Sequence, residues 1–216
     1  MCEPLTPSAL RAAFGDIDIY LFDQLLRGRI TDRMRILDAG CGVGRNLVFM
    51  MRAGMNVWGV DESPAAIDAV RLQAAALAPH LPADRFTVRA VESMSFADDS
   101  MDLVLSSAVL HFARDDAHFL ACLNEMWRVL APGGLLLARL ASSIGIADQV
   151  RPVDGRRHRL PDGSERYLVD ADVLAEHTRW LGGTLLDPLK TTVVQGMRAM
   201  TTWVVGKPAD HSSARL

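Results

Sequence analysis

The chain has 216 residues, half of them hydrophobic and 23% charged, with a formal net charge of -3. That length suits one domain with a substantial core, and the composition excludes a disordered or fibrous chain. The mild acidity gives no global field toward nucleic acid or an anionic membrane, so neither is expected as a partner.

Cys2, Cys41 and Cys122 stand too far apart for a disulfide framework or a zinc pattern, which points to a reducing, cytoplasmic setting. The N-terminal stretch lacks the charged start and apolar run of a signal peptide. No apolar run approaches the roughly 18 residues needed to span a membrane.

Short apolar runs alternate with helix-period segments, the pattern of an α/β domain with a largely parallel sheet. Over 16–27 the spacing predicts a helix burying Ile19, Phe22, Leu25 and Leu26. A strand over 35–39 enters a glycine-rich turn. A helix over 45–53 follows, with Leu47, Val48 and Met51 inward and Gly54 as its stop. After a strand over 57–60, Ser63 and Pro64 open a helix as cap and first-turn proline. Its buried stripe is Ile67, Val70, Ala74 and Leu77, and Pro79 ends it. Strands are expected over 86–90 and 101–106, then a helix with apolar residues at 119, 120, 123, 126, 127 and 130. Pro132-Gly133-Gly134 breaks the chain before a fully buried strand over 135–140. Residues 141–169 show no clear period and form a long excursion. Asp170 caps a helix carrying Val173, Leu174, Trp180 and Leu181, which Gly182-Gly183 stops. Two last strands, near 185–194 and 200–205, are joined around Gln195-Gly196 and should pair as an antiparallel hairpin.

Residues 36–46, Ile-Leu-Asp-Ala-Gly-Cys-Gly-Val-Gly-Arg-Asn, run strand, turn, helix. Glycines let the chain turn sharply and let a ligand lie against bare backbone. In an open parallel sheet, ligands sit just past the carboxyl ends of the strands. A dinucleotide site wants G-x-G-x-x-G and a pyrophosphate at the helix start. Here the spacing is G-x-G-x-G, and Arg45 follows the third glycine. Asp38, two residues before Gly40, would repel a pyrophosphate and favour a cationic group.

This segment resembles the first motif of class I S-adenosylmethionine-dependent methyltransferases, D-x-G-x-G-x-G. Residues 90–104 are similar to that family's adenine-facing stretch, with Ala90 where relatives often carry Asp and Met94-Ser95 where they often carry Leu-Pro. Ser106-Ser107-Ala108-Val109-Leu110-His111-Phe112 resembles the fourth motif, and residues 127–134 resemble the helix-turn-strand signature before the fifth strand. The resemblance implies a single-domain Rossmann-like fold with a mostly parallel seven-stranded sheet and a C-terminal antiparallel hairpin. It implies S-adenosyl-L-methionine as cofactor, held by Asp38, Gly40, Cys41, Gly42, Asn46, Asp61, Glu62, Val91, Glu92 and Ser106. Asp61 would accept from the ribose hydroxyls; the alternative is that it helps cap the helix beginning at Ser63.

Methyl transfer is an in-line displacement, so the protein's part is orientation and electrostatics. His111 is the candidate catalytic base or substrate contact, or else a histidine hydrogen-bonded beneath a loop. Tyr20 and Arg139 are candidate substrate contacts; Tyr20 and Phe22 either roof the active site or pack in the core. Asp115, Asp116 and His118 read as a helix start rather than a metal site, and no metal is expected. The arginines of 151–159 form either a solvated hairpin or a flap at the acceptor. The chain divides into a helical lid over 1–30, a cofactor-binding domain over 31–207 with a substrate-side insertion at 141–169, and a tail over 208–216. The expected activity is methyl transfer to a small-molecule acceptor. The alternatives are an RNA or protein methyltransferase, and a non-catalytic cofactor-binding protein.

Overall fold

The structure, a computed structural model, describes residues 6–209; Cys2 and most of the tail lie outside them. Helices α1 (Pro7–Phe14) and α2 (Ile19–Leu26) precede the sheet. Then come β1 (Arg35–Ala39), α3 (Val48–Arg52), β2 (Asn56–Asp61), α4 (Pro64–Leu77), β3 (Phe86–Val88), β4 (Met101–Ser107), α5 (Asp116–Val129) and β5 (Leu130–Ala141). A small antiparallel sheet follows, made of β6 (Arg151–Asp154), β7 (Arg157–Arg159) and β8 (Glu165–Tyr167). The chain closes with α6 (Ala171–Trp180), β9 (Thr184–Leu185), β10 (Lys190–Val194) and β11 (Arg198–Gly206).

The main sheet runs β10-β11-β5-β4-β1-β2-β3, with short β9 paired to β11 as an eighth strand. Strands β1 to β5 are parallel, and β11 is antiparallel to β5 and to β10. Central β1 is covered on both faces, which is why it reads as an apolar run rather than an alternation. Leu37 and Val104 face α5 and α6 with Phe119, Met126 and Trp203, whereas Ile36, Leu103 and Leu105 face Leu47, Met51 and Ile67 on the other side. Trp203 is fully buried, and its Nε1 donates to Thr178 Oγ1 at 3.0 Å, tying α6 to β11. The expected helix starts hold. Ser63 Oγ accepts from Ala66 N at 3.3 Å, Asp115 Oδ1 from His118 N at 2.7 Å, and Asp170 Oδ1 from Val173 N at 2.8 Å.

Several boundaries differ from the sequence reading. The helix expected over 16–27 starts only at Ile19, and a further helix, α1, precedes it and ends at Gly15 with φ 65. Its buried face is Leu21 and Gln24, while Ile19 and Leu26 are exposed. The face is rotated because Gln24 is fixed by polar partners, donating to Asp187 Oδ2 at 2.9 Å and accepting from Arg29 Nη1 at 2.9 Å. The helix expected from 45 starts only at Val48, because Gly44 and Leu47 are spent on turns. The strand expected over 86–90 stops at Val88. The excursion 141–169 contains an ordered three-stranded sheet. Asp187-Pro188 divides the strand expected over 185–194 into β9 and β10.

Candidate active site

The turn after β1 hangs from β2. Gly40 N and Cys41 N both donate to the Val60 carbonyl, at 2.8 and 2.9 Å. Gly40 has φ 84, and a Cβ there would lie 2.3 Å from Val109 Cγ2, so glycine is required twice over. Gly42, at φ 52, faces open space. Beyond it lies a cavity of about 630 Å³. Its walls are the turn (Gly40, Cys41, Gly42, Asn46), Asp61 and Glu62 after β2, Val91 and Glu92 after β3, and Ser107 to Val109 after β4.

Asp61 has the capping role considered as the alternative for it. Its Oδ1 accepts from Ser63 N and its Oδ2 from Gly42 N, each at 2.9 Å. It still lies on the cavity wall with lone pairs to spare. Asp38 lies beneath the wall, 1% exposed, and neither carboxylate oxygen has a partner. Burial raises its pKa to about 7; Arg45 opposes the rise and Asp61 adds to it. Ser106 is likewise fully buried with an unpartnered Oγ, and it is Ser107 that reaches the wall. Cys41 lines the cavity as a protonated thiol, pushed far above its ordinary pKa by burial and then by Asp38 and Asp61. Small size explains its presence better than nucleophilic chemistry does.

At the far wall, Glu92, His118 and Cys122 converge within 4.8 Å. His118 Nδ1 accepts from Arg114 N at 3.2 Å, so its Nε2 is the donor toward Glu92 Oε1, also at 3.2 Å. Burial pushes the Glu92 pKa up, but a backbone hydrogen bond and His118 outweigh it and leave the group below its ordinary value.

A second cavity, of about 310 Å³, meets the first at Ala108. Ala108 is a non-glycine residue at φ 66, held by its N–H donating to the Arg139 carbonyl at 2.8 Å. Here the walls include His111, Arg139, Leu160, Arg166, Thr192, Arg198 and Met200. His111 is not on the first cavity's wall. It is buried, and its Nδ1 accepts from Ala141 N at 3.2 Å, which puts the ring proton on Nε2. Burial, then Arg166, lowers its pKa to about 4. At neutral pH the ring is therefore uncharged, with Nδ1 occupied by Ala141 N and the proton on Nε2.

Tyr20 stands behind this wall, its hydroxyl 2.7 Å from Thr192 Oγ1 and its ring under the Arg139 guanidinium at 5.5 Å. Phe22 packs on Phe14 and Phe49 with centroids at 4.9 and 6.5 Å, the core-packing alternative. The start of α2 is strapped to both cavities. Asp18 N donates to Asn46 Oδ1 at 3.1 Å, and Asp18 Oδ2 pairs with Arg139 at 2.9 Å. Arg156 pairs with Asp170, and Arg157 and Arg159 share Glu165, so these arginines are those of an acid-balanced hairpin.

A family model described as "Methyltransferase domain" matches residues 37–138. An uncharacterized methyltransferase of Mycolicibacterium gilvum (strain PYR-GCK) is 32% identical over 202 residues, covering 84% of this chain and 75% of that one. The chain belongs to the class I S-adenosylmethionine-dependent methyltransferases. Its cofactor is S-adenosyl-L-methionine. A malonyl-[acyl-carrier protein] O-methyltransferase of Serratia marcescens is 32% identical over 127 residues, 57% of this chain and 46% of the relative. Such matches span about half the length of these curated relatives. A SAM-dependent methyltransferase of Methanosarcina mazei shares the fold at a TM-score of 0.69 and 20% identity, covering 86% of this chain and 98% of that one.

The methyltransferase's geometry fits its cofactor. A bare backbone cradle at Gly42 and a buried, unpartnered carboxylate at Asp38 suit a ligand with a cationic end. The sequence reading missed the far wall (Phe112, Arg114, His118, Cys122) and Arg45. Phe112, 60% exposed, stood within a motif already noticed, and its exposure is what marks it as a cavity residue. Arg45 donates to Ser107 Oγ at 3.1 Å, bridging the turn to β4, a contact with no local signal.

Proposed function

We propose that this methyltransferase acts on a small-molecule acceptor held in the second cavity, with the cofactor in the first. The observation that carries the reading is that the two cavities meet at one residue, Ala108. An acceptor reaching past Ala108 from one cavity lies close to a methyl donor in the other, and proximity supplies much of the catalysis.

S-adenosylmethionine supplies a methyl group activated on a positive sulfonium. The protein's residues hold and orient. Asp38 and the Gly40–Cys41–Gly42 backbone serve the amino-acid end, with Asn46 and the backbone at Ser106 and Ser107 beside them. Asp61, with Glu62 next to it, accepts from the ribose, and Val91 and Glu92 meet the adenine. His111 orients the acceptor by donating through Nε2, and Arg139 with Tyr20 shapes the acceptor wall. The N-terminal lid of residues 1–30 and the insertion 141–169 cover the site and exclude water; residues 31–207 make up the cofactor-binding domain. No helix among the described residues is long and apolar enough to cross a membrane. Cys41 and Cys122 are unpaired thiols, which supports a cytoplasmic setting.

Two measurements test the assignment. Asp61→Ala should weaken S-adenosylhomocysteine binding by roughly 1–3 kcal/mol in calorimetry, the usual worth of hydrogen bonds to a charged group; unchanged affinity would remove Asp61 from the ribose site. Labelled cofactor offered separately to total RNA, total protein and a low-molecular-weight extract should label the extract. Label appearing chiefly in RNA or protein would overturn the small-molecule reading.

A further inference from the structure

Three guanidinium groups converge on the second cavity, from Arg139, Arg166 and Arg198. Arg139 is paired with Asp18, yet its Nε is buried with no partner. Among the described residues neither Arg166 nor Arg198 is in a salt bridge. Arg166 donates to the carbonyl of its neighbour Glu165 at 2.6 Å and stacks over Phe112 at 4.8 Å. The one acid on the wall, Asp162, makes no salt bridge: its Oδ1 accepts from Ser164 N at 2.9 Å and from Ser164 Oγ at 2.6 Å, and it feels Arg198 and Arg166 only at longer range. His111 adds a neutral donor rather than a negative charge. The contrast with the other arginines of the hairpin is informative. Arg156, Arg157 and Arg159 all carry acid partners, whereas of the arginines facing the cavity only Arg139 does, through Asp18.

We propose that the second cavity selects an acceptor carrying an anionic oxygen group, a carboxylate or a phosphate, bound by Arg198 and Arg166 with Arg139 behind them. Arginine suits this role because its planar fork presents paired donors to a two-oxygen acceptor. Ala108 lines this cavity as well as the first, so an acceptor anchored by these arginines stays within reach of the methyl donor. The proposal rests on the small-molecule reading above and narrows it to one charge class.

The test separates the two. A low-molecular-weight extract is split on an anion-exchange resin, and each fraction is assayed with labelled cofactor. The proposal expects labelled product from the retained fraction. Label from the flow-through alone overturns the anionic anchor and leaves a small-molecule acceptor standing; label in neither fraction, but in protein or RNA, overturns both. Phosphatase treatment of the retained fraction distinguishes the sources, since a phosphate-bearing acceptor loses activity and a carboxylate-bearing one keeps it. With the active fraction as substrate, Arg198→Ala should raise the acceptor KM on the order of tenfold with kcat far less affected. Arg198→Lys should recover part of the loss, and S-adenosylhomocysteine affinity should be unchanged in both. Arg198 is exposed, so its replacement leaves the fold intact. A KM in both Arg198→Ala and Arg166→Ala equal to the parent's would return these arginines to solvated surface.

Discussion

Asp38 is a carboxylate on the central strand of an otherwise apolar layer, with both oxygens unpartnered and a pKa near 7. For an acid, a raised folded pKa means that the folded chain holds the proton more tightly than the unfolded chain does. Its contribution therefore favours the folded apoprotein at low pH and is lost as pH climbs from the ordinary carboxylate range through about 7. A cationic ligand prefers the ionised form, so cofactor binding below pH 7 should expel a proton. Titration calorimetry at pH 6 in buffers of different ionisation enthalpy should detect that release. Affinity should fall as pH drops below 7, approaching about tenfold per unit. Asp38→Asn should abolish both effects and weaken binding at pH 8; a proton release that survives in this variant would mean another group titrates.

At the scale of elements, the glycine turn works through one contact. The Cβ missing from Gly40 leaves room for Val109, which the short helical turn after β4 presses against it. Gly40→Ala should cost stability through clash and left-handed strain, the strain alone about 1–2 kcal/mol. Val109→Ala in the same chain should recover the clash but not the strain, a coupling that urea unfolding of the four-member cycle would measure. Additive losses would mean that the two elements do not press on each other. The turn, the caps at Ser63 and Asp170 and the hairpin at Gln195-Gly196 could be read from sequence because each is decided by a few adjacent residues. The buried face of α2 could not, since Asp187 and Arg29 draw Gln24 inward and leave Ile19 in water. The sheet β6-β7-β8 was hidden for a different reason. Its strands are three or four residues long, too short for a period of two to register.

Taken whole, the molecule joins its two cavities through side chains that meet only in the fold: Asp18 touches Asn46 on one and Arg139 on the other. Deleting residues 1–28 should therefore abolish turnover while leaving a folded core, with S-adenosylhomocysteine affinity lower by roughly tenfold, the worth of one or two hydrogen bonds. Retained turnover would contradict a role for the lid. Such convergence escapes a linear reading: Asp38 and Asp61 announce themselves by spacing, but nothing adjacent to Arg198 or Thr192 says that they share a wall with His111. Yet the walls have an order along the chain. The cofactor cavity is built between residues 40 and 122, while every wall residue of its neighbour except Ala108 and His111 comes after Ala138, where the family match also ends. Inheritance can act on the two separately. A single crossover near the start of β5 would exchange the acceptor surface as a block and keep the methyl-donor surface intact.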